Sequence, residues 1–267
     1  MKMFELFNKS VLTSSKIRNY FEIYDEILAP YLNLNITLVE IGLAEGGSLQ
    51  MWRNYFSSGN GKCRIIGIEI DPEAKKFEKD GYEIYIGDQA DPNFWIKFYS
   101  EVGKVDILID DGGHTNLMQT QTLVSSYPHI NDGGIIIFED THQSFSWTVG
   151  NPHFYSFFSF AGLISKSINR KILDNNQSKR GHLQLLASHI YSVRYFQSMI
   201  VFYVDRKKAV QSEIITNPAG TANLKKLPNR QSFLIRVRER VNYNKIVRKK
   251  IYFIHFLKNF KNRKMFY

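Results

Sequence analysis

Between residues 36 and 140 the chain alternates short, wholly apolar runs with helical segments. This alternation limits its fold more than any other feature. The runs are ITLVEIG (36–42), CRIIGIEID (63–71), YEIYIGD (82–88), VDILIDDGG (105–113) and GGIIIFED (133–140). They are continuous rather than alternating, as strands are when both faces of a sheet are covered. Between them, GGSLQMWRNYF (46–56), PNFWIKFYSEV (92–102) and TNLMQTQTLVSSYPHI (115–130) read as helices, and Pro72 opens another. The pattern predicts an α/β domain built on a doubly wound, mostly parallel sheet. Helical spacing extends the domain at both ends, over 16–32 and 153–170. HIYSVRYFQ (189–197) and SMIVFYVD (198–205) predict an antiparallel hairpin at the sheet edge.

Charge divides the chain. From Arg206 to Tyr267 there are 17 Lys and Arg against two acids, a balance of +15, whereas residues 1–205 carry −5. We therefore expect a domain over 1–205 and a basic extension over 206–267. Within the extension, KIVRKKIYFIHFLKNFKNRKMFY (245–267) interleaves apolar and basic residues. Such a segment suits a membrane surface, another subunit, nucleic acid, or packing on its own body. Nucleic acid is the least favoured of these. The single cysteine, Cys63, allows no internal disulfide. MKMFELFNKS lacks the apolar core of a signal peptide, and no apolar run reaches the roughly 18–20 residues of a membrane span. A cytoplasmic protein is expected, with the inner membrane face left open by the tail.

In open α/β sheets ligands bind at the carboxyl ends of the strands. There the first run reads Glu40-Ile41-Gly42-Leu43-Ala44-Glu45-Gly46-Gly47-Ser48. Its glycine spacing is not the G-x-G-x-x-G of dinucleotide binders. Glu69, at the end of the second run, suits the two hydroxyls of a ribose. Asp71 before Pro72 reads as a helix-start residue. Asp88 and Gln89 close the third run and suit the adenine end of a nucleoside, or a turn cap. Asp110 and Asp111 end the fourth run; Glu139 and Asp140 end the fifth. On neighbouring strands these tips lie roughly 5 Å apart. So many carboxylates repel one another unless a cation or protons intervene, and all-oxygen ligation suits Mg²⁺.

VEIGLAEGGSLQMW, IIGIEIDP, IGDQAD, VDILIDDGGH and GGIIIFEDTH, in this order, resemble the macrolide-sugar O-methyltransferases of the mycinamicin type. The likeness spans roughly 16–205, and the N-terminal domain of the family's larger members has no counterpart. The resemblance implies a Rossmann-like class I methyltransferase with S-adenosylmethionine as donor. It places Glu40, Gly42, Gly46, Ser48, Glu69, Asp88 and Gln89 around the cofactor, with Asp110 near it or supporting. It implies Asp111, Glu139 and Asp140 as ligands of Mg²⁺ or a similar cation, and His114 as the general base. His142 is a weaker candidate facing substrate. The expected reaction is O-methylation of a sugar hydroxyl on a glycan, nucleotide sugar or glycosylated metabolite. The alternatives are a catechol-like phenol and, in another class, a nucleic-acid-binding protein using the tail. Homo-oligomerisation is left open.

Overall fold

The computed structural model describes residues 2–149, 156–171 and 182–212. Contacts divide the chain into Met1–Glu213 and Ile214–Tyr267. The second unit lies outside the described residues, and so does the predicted amphipathic segment 245–267.

The five apolar runs form β1 (Ile36–Ile41), β2 (Cys63–Glu69), β3 (Glu83–Ile86), β4 (Val105–Asp110) and β5 (Ile130–Phe138), and the hairpin forms β6 (Ile190–Phe196) and β7 (Met199–Val204). The sheet order is β3-β2-β1-β4-β5-β7-β6. The first five strands are parallel, and β7 joins β5 antiparallel with β6 outermost. The chain runs outward from β1 to β3 and then returns beside β1 as β4. That reversal opens a crevice at the carboxyl ends of β1 and β4.

Helices cover both faces, which explains the continuous apolar strands. Leu38, Ile107, Ile109, Ile135 and Ile137 pack on one side with α1 (Met3–Lys9), α2 (Tyr20–Leu28) and α3 (Gly47–Phe56). Val39, Leu108, Ile136 and Phe138 pack on the other with α4 (Pro92–Val102), α5 (Asn116–Ser126), α6 (Phe157–Arg170) and α7 (His182–His189). Asp91, Thr115 and Ser156 cap α4, α5 and α6 with their side chains.

Two local expectations are corrected. The 16–32 helix is shorter: α2 starts at Tyr20, so Lys16 and Ile17 lie in non-helical backbone before it, and a 3-10 turn, Ala29–Tyr31, follows Leu28. Pro30 accounts for the 3-10 turn, because it removes a helical hydrogen bond. Pro72–Asp80 is a 3-10 helix with Asp71 as its cap. The two β-rich runs form the antiparallel hairpin expected at the sheet edge, with β7 paired to β5 and β6 outermost. No helix among the described residues is long and apolar enough to cross a membrane.

Candidate active site

The glycine turn after β1 exists because backbone passes behind it. Gly42 has φ +82°, and an added Cβ would lie 2.2 Å from the Asp111 carbonyl oxygen. Only glycine accepts both conditions. The turn opens a cavity of about 460 Å³ whose lining includes Gly42, Ser48, Glu69, Asp88, Gln89 and Asp111. Glu69 sits at its wall. One carboxylate oxygen accepts from the Leu43 and Ala44 amides at 2.8 and 3.3 Å; the other accepts from Ile70 at 2.8 Å.

Of the other predicted cofactor residues, Glu40, Gly46 and Asp110 do not line this cavity. Asp110 is buried, accepts from Gln89 Nε2 at 3.0 Å and from the Gly112 amide at 3.2 Å, and burial raises its pKa. Gln89 Oε1 in turn accepts from the Gly113 amide at 2.8 Å. Asp110 thus shapes the turn that carries Asp111 and His114. Glu40 is buried and accepts from Ser48 Oγ at 2.8 Å. Gly46 caps α3 against Phe77 and does not line the cavity. Asp88 accepts from the Ala90 amide at 2.8 Å as a turn cap and also lines the cavity.

Strand register assembles the acids. Ile41 pairs with Asp110, and Asp110 with Phe138. The ladder continues past the strand ends, with the Asp111 amide donating to Ile41 O and the Glu139 amide to Asp110 O. Asp111, Glu139 and Asp140 therefore share one small cavity with Lys16 and Tyr20. Asp111 lines both this cavity and the larger one.

Lys16 is the residue that sequence reasoning missed. Its Nζ lies 2.5 Å from Asp111 Oδ2, 2.7 Å from Glu139 Oε1 and 3.7 Å from Glu40 Oε1, with the side chain 1% exposed. Burial acts to lower its pKa, but Glu139, Asp111 and Glu40 outweigh it and hold the ammonium charged. Burial raises the Glu139 carboxyl, Lys16 opposes that rise, and Tyr24 donates to the same oxygen. Tyr20 OH lies 2.7 Å from Asp140 Oδ1 and accepts from the Asp140 amide at 2.9 Å. The signal was present as Lys16, Tyr20 and Tyr24 at four-residue spacing, because buried phenols require polar partners.

The free oxygens face His114. Its Nε2 is 3.6 Å from Asp140 Oδ2 and 3.9 Å from Asp111 Oδ1, while its buried Nδ1 has no hydrogen-bond partner. Asp111, His114 and Asp140 each bring a ligand atom within 4.8 Å of the others. Asp111 and Asp140 keep oxygens that neither Lys16 nor a tyrosine engages, and with His114 this donor set fits a divalent cation. With Lys16 in place, Asp111 and Asp140 offer the open oxygens and Glu139 is engaged by Lys16 and Tyr24. His142 contacts Ser198 Oγ through Nδ1 and lies 4.0 Å from Asp140.

Burial pushes the Glu40 carboxyl up to about 7 despite the pull of Lys16. In this range the folded state holds the proton and the unfolded state has lost it. Stability therefore falls as pH rises from the ordinary carboxylate value to about 7. Glu40→Gln keeps the shape and cannot ionise, so it should remove a loss of roughly 3 kcal/mol. Denaturant unfolding of both proteins at about pH 5 and about pH 8 measures the difference. Equal pH dependence in the two would refute it.

No family model matches the chain. The structure of MycE methyltransferase from the mycinamycin biosynthetic pathway, in complex with Mg and SAH, superposes with a TM-score of 0.69 at 20% identity, covering 82% of this chain and 58% of that one. The domain has a class I methyltransferase fold. In sequence, this methyltransferase-like domain resembles sugar O-methyltransferases. It is 31% identical over 136 residues to the 8-demethyl-8-alpha-L-rhamnosyl tetracenomycin-C 2'-O-methyltransferase of Streptomyces olivaceus, covering 48% of this chain and 35% of that one. It is 31% identical over 138 residues to the demethylmacrocin O-methyltransferase of Streptomyces fradiae, and 32% over 138 residues to the mycinamicin VI 2''-O-methyltransferase of Micromonospora griseorubida. Each of these matches covers 49% of this chain and 32% of the relative. The matched stretch spans about a third of the length of these curated relatives.

Proposed function

We propose that this chain is a divalent-cation-dependent O-methyltransferase that uses S-adenosylmethionine and acts on a sugar hydroxyl. The observation that carries the reading is Asp111, which lines both the large cavity at the glycine turn and the small acidic cavity beside His114. A donor in the first and an acceptor at the second would meet at this residue. The likeness to sugar O-methyltransferases supports a sugar as the acceptor class. A basic tail in contact with an anionic membrane face or a second subunit is part of the same reading and rests on the charge split.

The chemistry follows from what an alcohol needs. Its hydroxyl stays protonated near neutral pH and attacks a methyl group poorly. A divalent cation held by Asp111 and Asp140 would supply charge that favours loss of that proton. His114 receives the proton at Nε2, which faces the open oxygens of both carboxylates. Tyr20 fixes Asp140 through its side chain and its amide. Gln119 holds the backbone of Glu139 from α5, at 3.0 Å. The site is thereby set before substrate arrives, and acceleration comes from positioning and electrostatics.

Glu69→Ala should weaken binding of S-adenosylmethionine by roughly 1.5–3 kcal/mol, the scale of hydrogen bonds to a charged group. Calorimetric titration checks this, and unchanged affinity would remove Glu69 from the ribose site. For the reaction, the full chain is incubated with labelled S-adenosylmethionine, Mg²⁺ and a panel of nucleotide sugars, glycans, catechols and RNA. Mass spectrometry then locates the methyl group. A methylated sugar is expected. Methylation of catechols or RNA alone would overturn the acceptor assignment, and tight binding of NAD in place of S-adenosylmethionine would overturn the reaction class.

A further inference from the structure

The turn that carries Asp140 runs on into a stretch unlike the rest of the chain. From Thr141 to Ser165 there is no Asp, Glu, Lys or Arg, in a chain of which 22% is charged; aromatic, hydroxyl and amide side chains dominate instead. Two of its rings form a ridge with Tyr195 of β6. Phe145 stands 5.1 Å from Phe158, and Phe158 stands 5.5 Å from Tyr195, centroid to centroid. None of the three joins the core on either face of the sheet, and Phe145, Phe158 and Tyr195 remain 58%, 37% and 40% exposed. The ridge is continuous with the acidic site. Asp140 leads directly into a 3-10 turn, Thr141–Phe145, whose last residue is the first ring. In that turn Ser144 Oγ donates to Asn116 Oδ1 and accepts from the Phe158 amide, both at 3.2 Å. Asn116 Oδ1 also accepts from the Phe157 amide at 2.8 Å, and Asn116 opens α5 two residues after His114. One polar knot therefore ties the His114 turn, the Asp140 turn and the start of the ridge.

We infer that this ridge is a subsite for the further rings of an uncharged oligosaccharide whose end sugar is presented to His114 and Asp140. The inference rests on the sugar O-methyltransferase reading and selects, among glycan, nucleotide sugar and glycosylated metabolite, the neutral glycan. Exposed apolar patches on a folded domain mark ligand or partner sites. A pyranose has a face of C–H groups and a rim of hydroxyls. The face packs on an aromatic ring through dispersion. The rim needs donors and acceptors, and a hydroxyl is both. Ser146 and Thr148 place such hydroxyls just past Phe145, and Ser165 and Tyr195 place them at the other end, 3.1 Å apart. Charge decides against the nucleotide sugar. A diphosphate is held by Arg or Lys, and the stretch from Thr141 to Ser165 has neither. A helix N-terminus would serve instead, but the first three amides of α6 are already taken by Asn116, Ser144 and Ser156. A wholly apolar aglycone would strip water from the hydroxyls along the ridge without replacing it.

The full chain is assayed with labelled S-adenosylmethionine and Mg²⁺ on glucose, mannose, galactose and rhamnose. Each is supplied as methyl glycoside, nitrophenyl glycoside, nucleotide sugar and neutral tetrasaccharide, and kcat/KM is compared within each sugar. The tetrasaccharide should exceed its methyl glycoside by about tenfold or more, the scale of two aromatic contacts. In Phe145→Ala and Tyr195→Ala that advantage should shrink about three- to tenfold. The loss should fall on KM and not on kcat, because the ridge holds ground state and transition state alike. Phe145→Leu keeps apolar bulk without an aromatic face and should behave as the alanine variant does, whereas Phe145→Trp should restore the advantage. Equal use of methyl glycoside and tetrasaccharide, or an advantage that survives both alanine variants, would overturn the ridge assignment and leave the methyltransferase reading intact. Preference for the nitrophenyl glycoside or the nucleotide sugar would do the same. Transfer to catechols or RNA alone would overturn both.

Discussion

Replacing His114 with alanine should lower kcat by about 10²–10⁴-fold, the usual scale for loss of a general acid–base group. His114 Nε2 is aimed at the two open carboxylate oxygens, and its Nδ1 is buried without a partner. Two roles fit that position: proton acceptor, or third ligand of a divalent cation. The variant separates them. A base that touches only substrate leaves Mg²⁺ and S-adenosylmethionine affinities nearly unchanged while kcat falls. A ligand takes metal affinity down with it. His114 has φ +56°, a conformation that costs alanine roughly 1–2 kcal/mol. His114→Asn, which tolerates that backbone better, therefore belongs beside it as a control. Near-wild-type kcat in both variants would show that the cation alone activates the hydroxyl or that His142 takes the proton.

Chelation of divalent ions should abolish turnover, and added Mg²⁺ should restore it. Asp140→Asn should do by substitution what the chelator does in solution. Asp140 has φ +53°, where asparagine is well accommodated, so the fold is retained and the change falls on charge. Its Oδ2 is one of the few cluster oxygens not engaged by Lys16 or tyrosine. Metal affinity should fall by at least about 10–100-fold, the loss known for residues that merely support a ligand. Affinity for S-adenosylmethionine should hold, because Asp140 does not line the large cavity. Isothermal titration with Mn²⁺ and with cofactor reads both. Full activity of the wild type in excess chelator, with no metal by elemental analysis, would end the cation-dependent reading.

The parts of this arrangement visible in the sequence are those fixed by local pattern. A strand covered on both faces must be apolar at every position, so β1, β2, β4 and β5 announce themselves. The acids at their ends stand out against that background. Partners distant in sequence leave no such mark. A lysine eight residues before Tyr24 reads as the polar face of a helix. It becomes a buried cation only through Asp111 and Glu139, which are 95 and 123 residues away. α1 leaves a weak mark because it has only seven residues and fully buries just Met3 and Leu6, with Phe4 and Phe7 partly buried. The supporting roles of Asp110 and Glu40 depend on which neighbours reach them, Gln89 in one case and Ser48 in the other. Nothing in the spacing of those residues distinguishes a wall from the layer behind it.

The placing of β7 inside the sheet has a consequence for biosynthesis. Tyr20, which fixes Asp140, also reaches the turn at Ser198, and the Thr141 amide donates to the Ser198 carbonyl. The site is thus clasped by residues 178 positions apart in the chain. While a ribosome adds residues at about 5–20 per second, the five parallel strands are complete well before β7 emerges. During that interval β5 presents an unpaired edge to its surroundings. The acids at its tip wait for the clasp on which their geometry depends. Nascent chains arrested with β7 still inside the ribosomal exit tunnel, and with it just outside, bracket the moment at which this protein gains both a protected edge and a finished site.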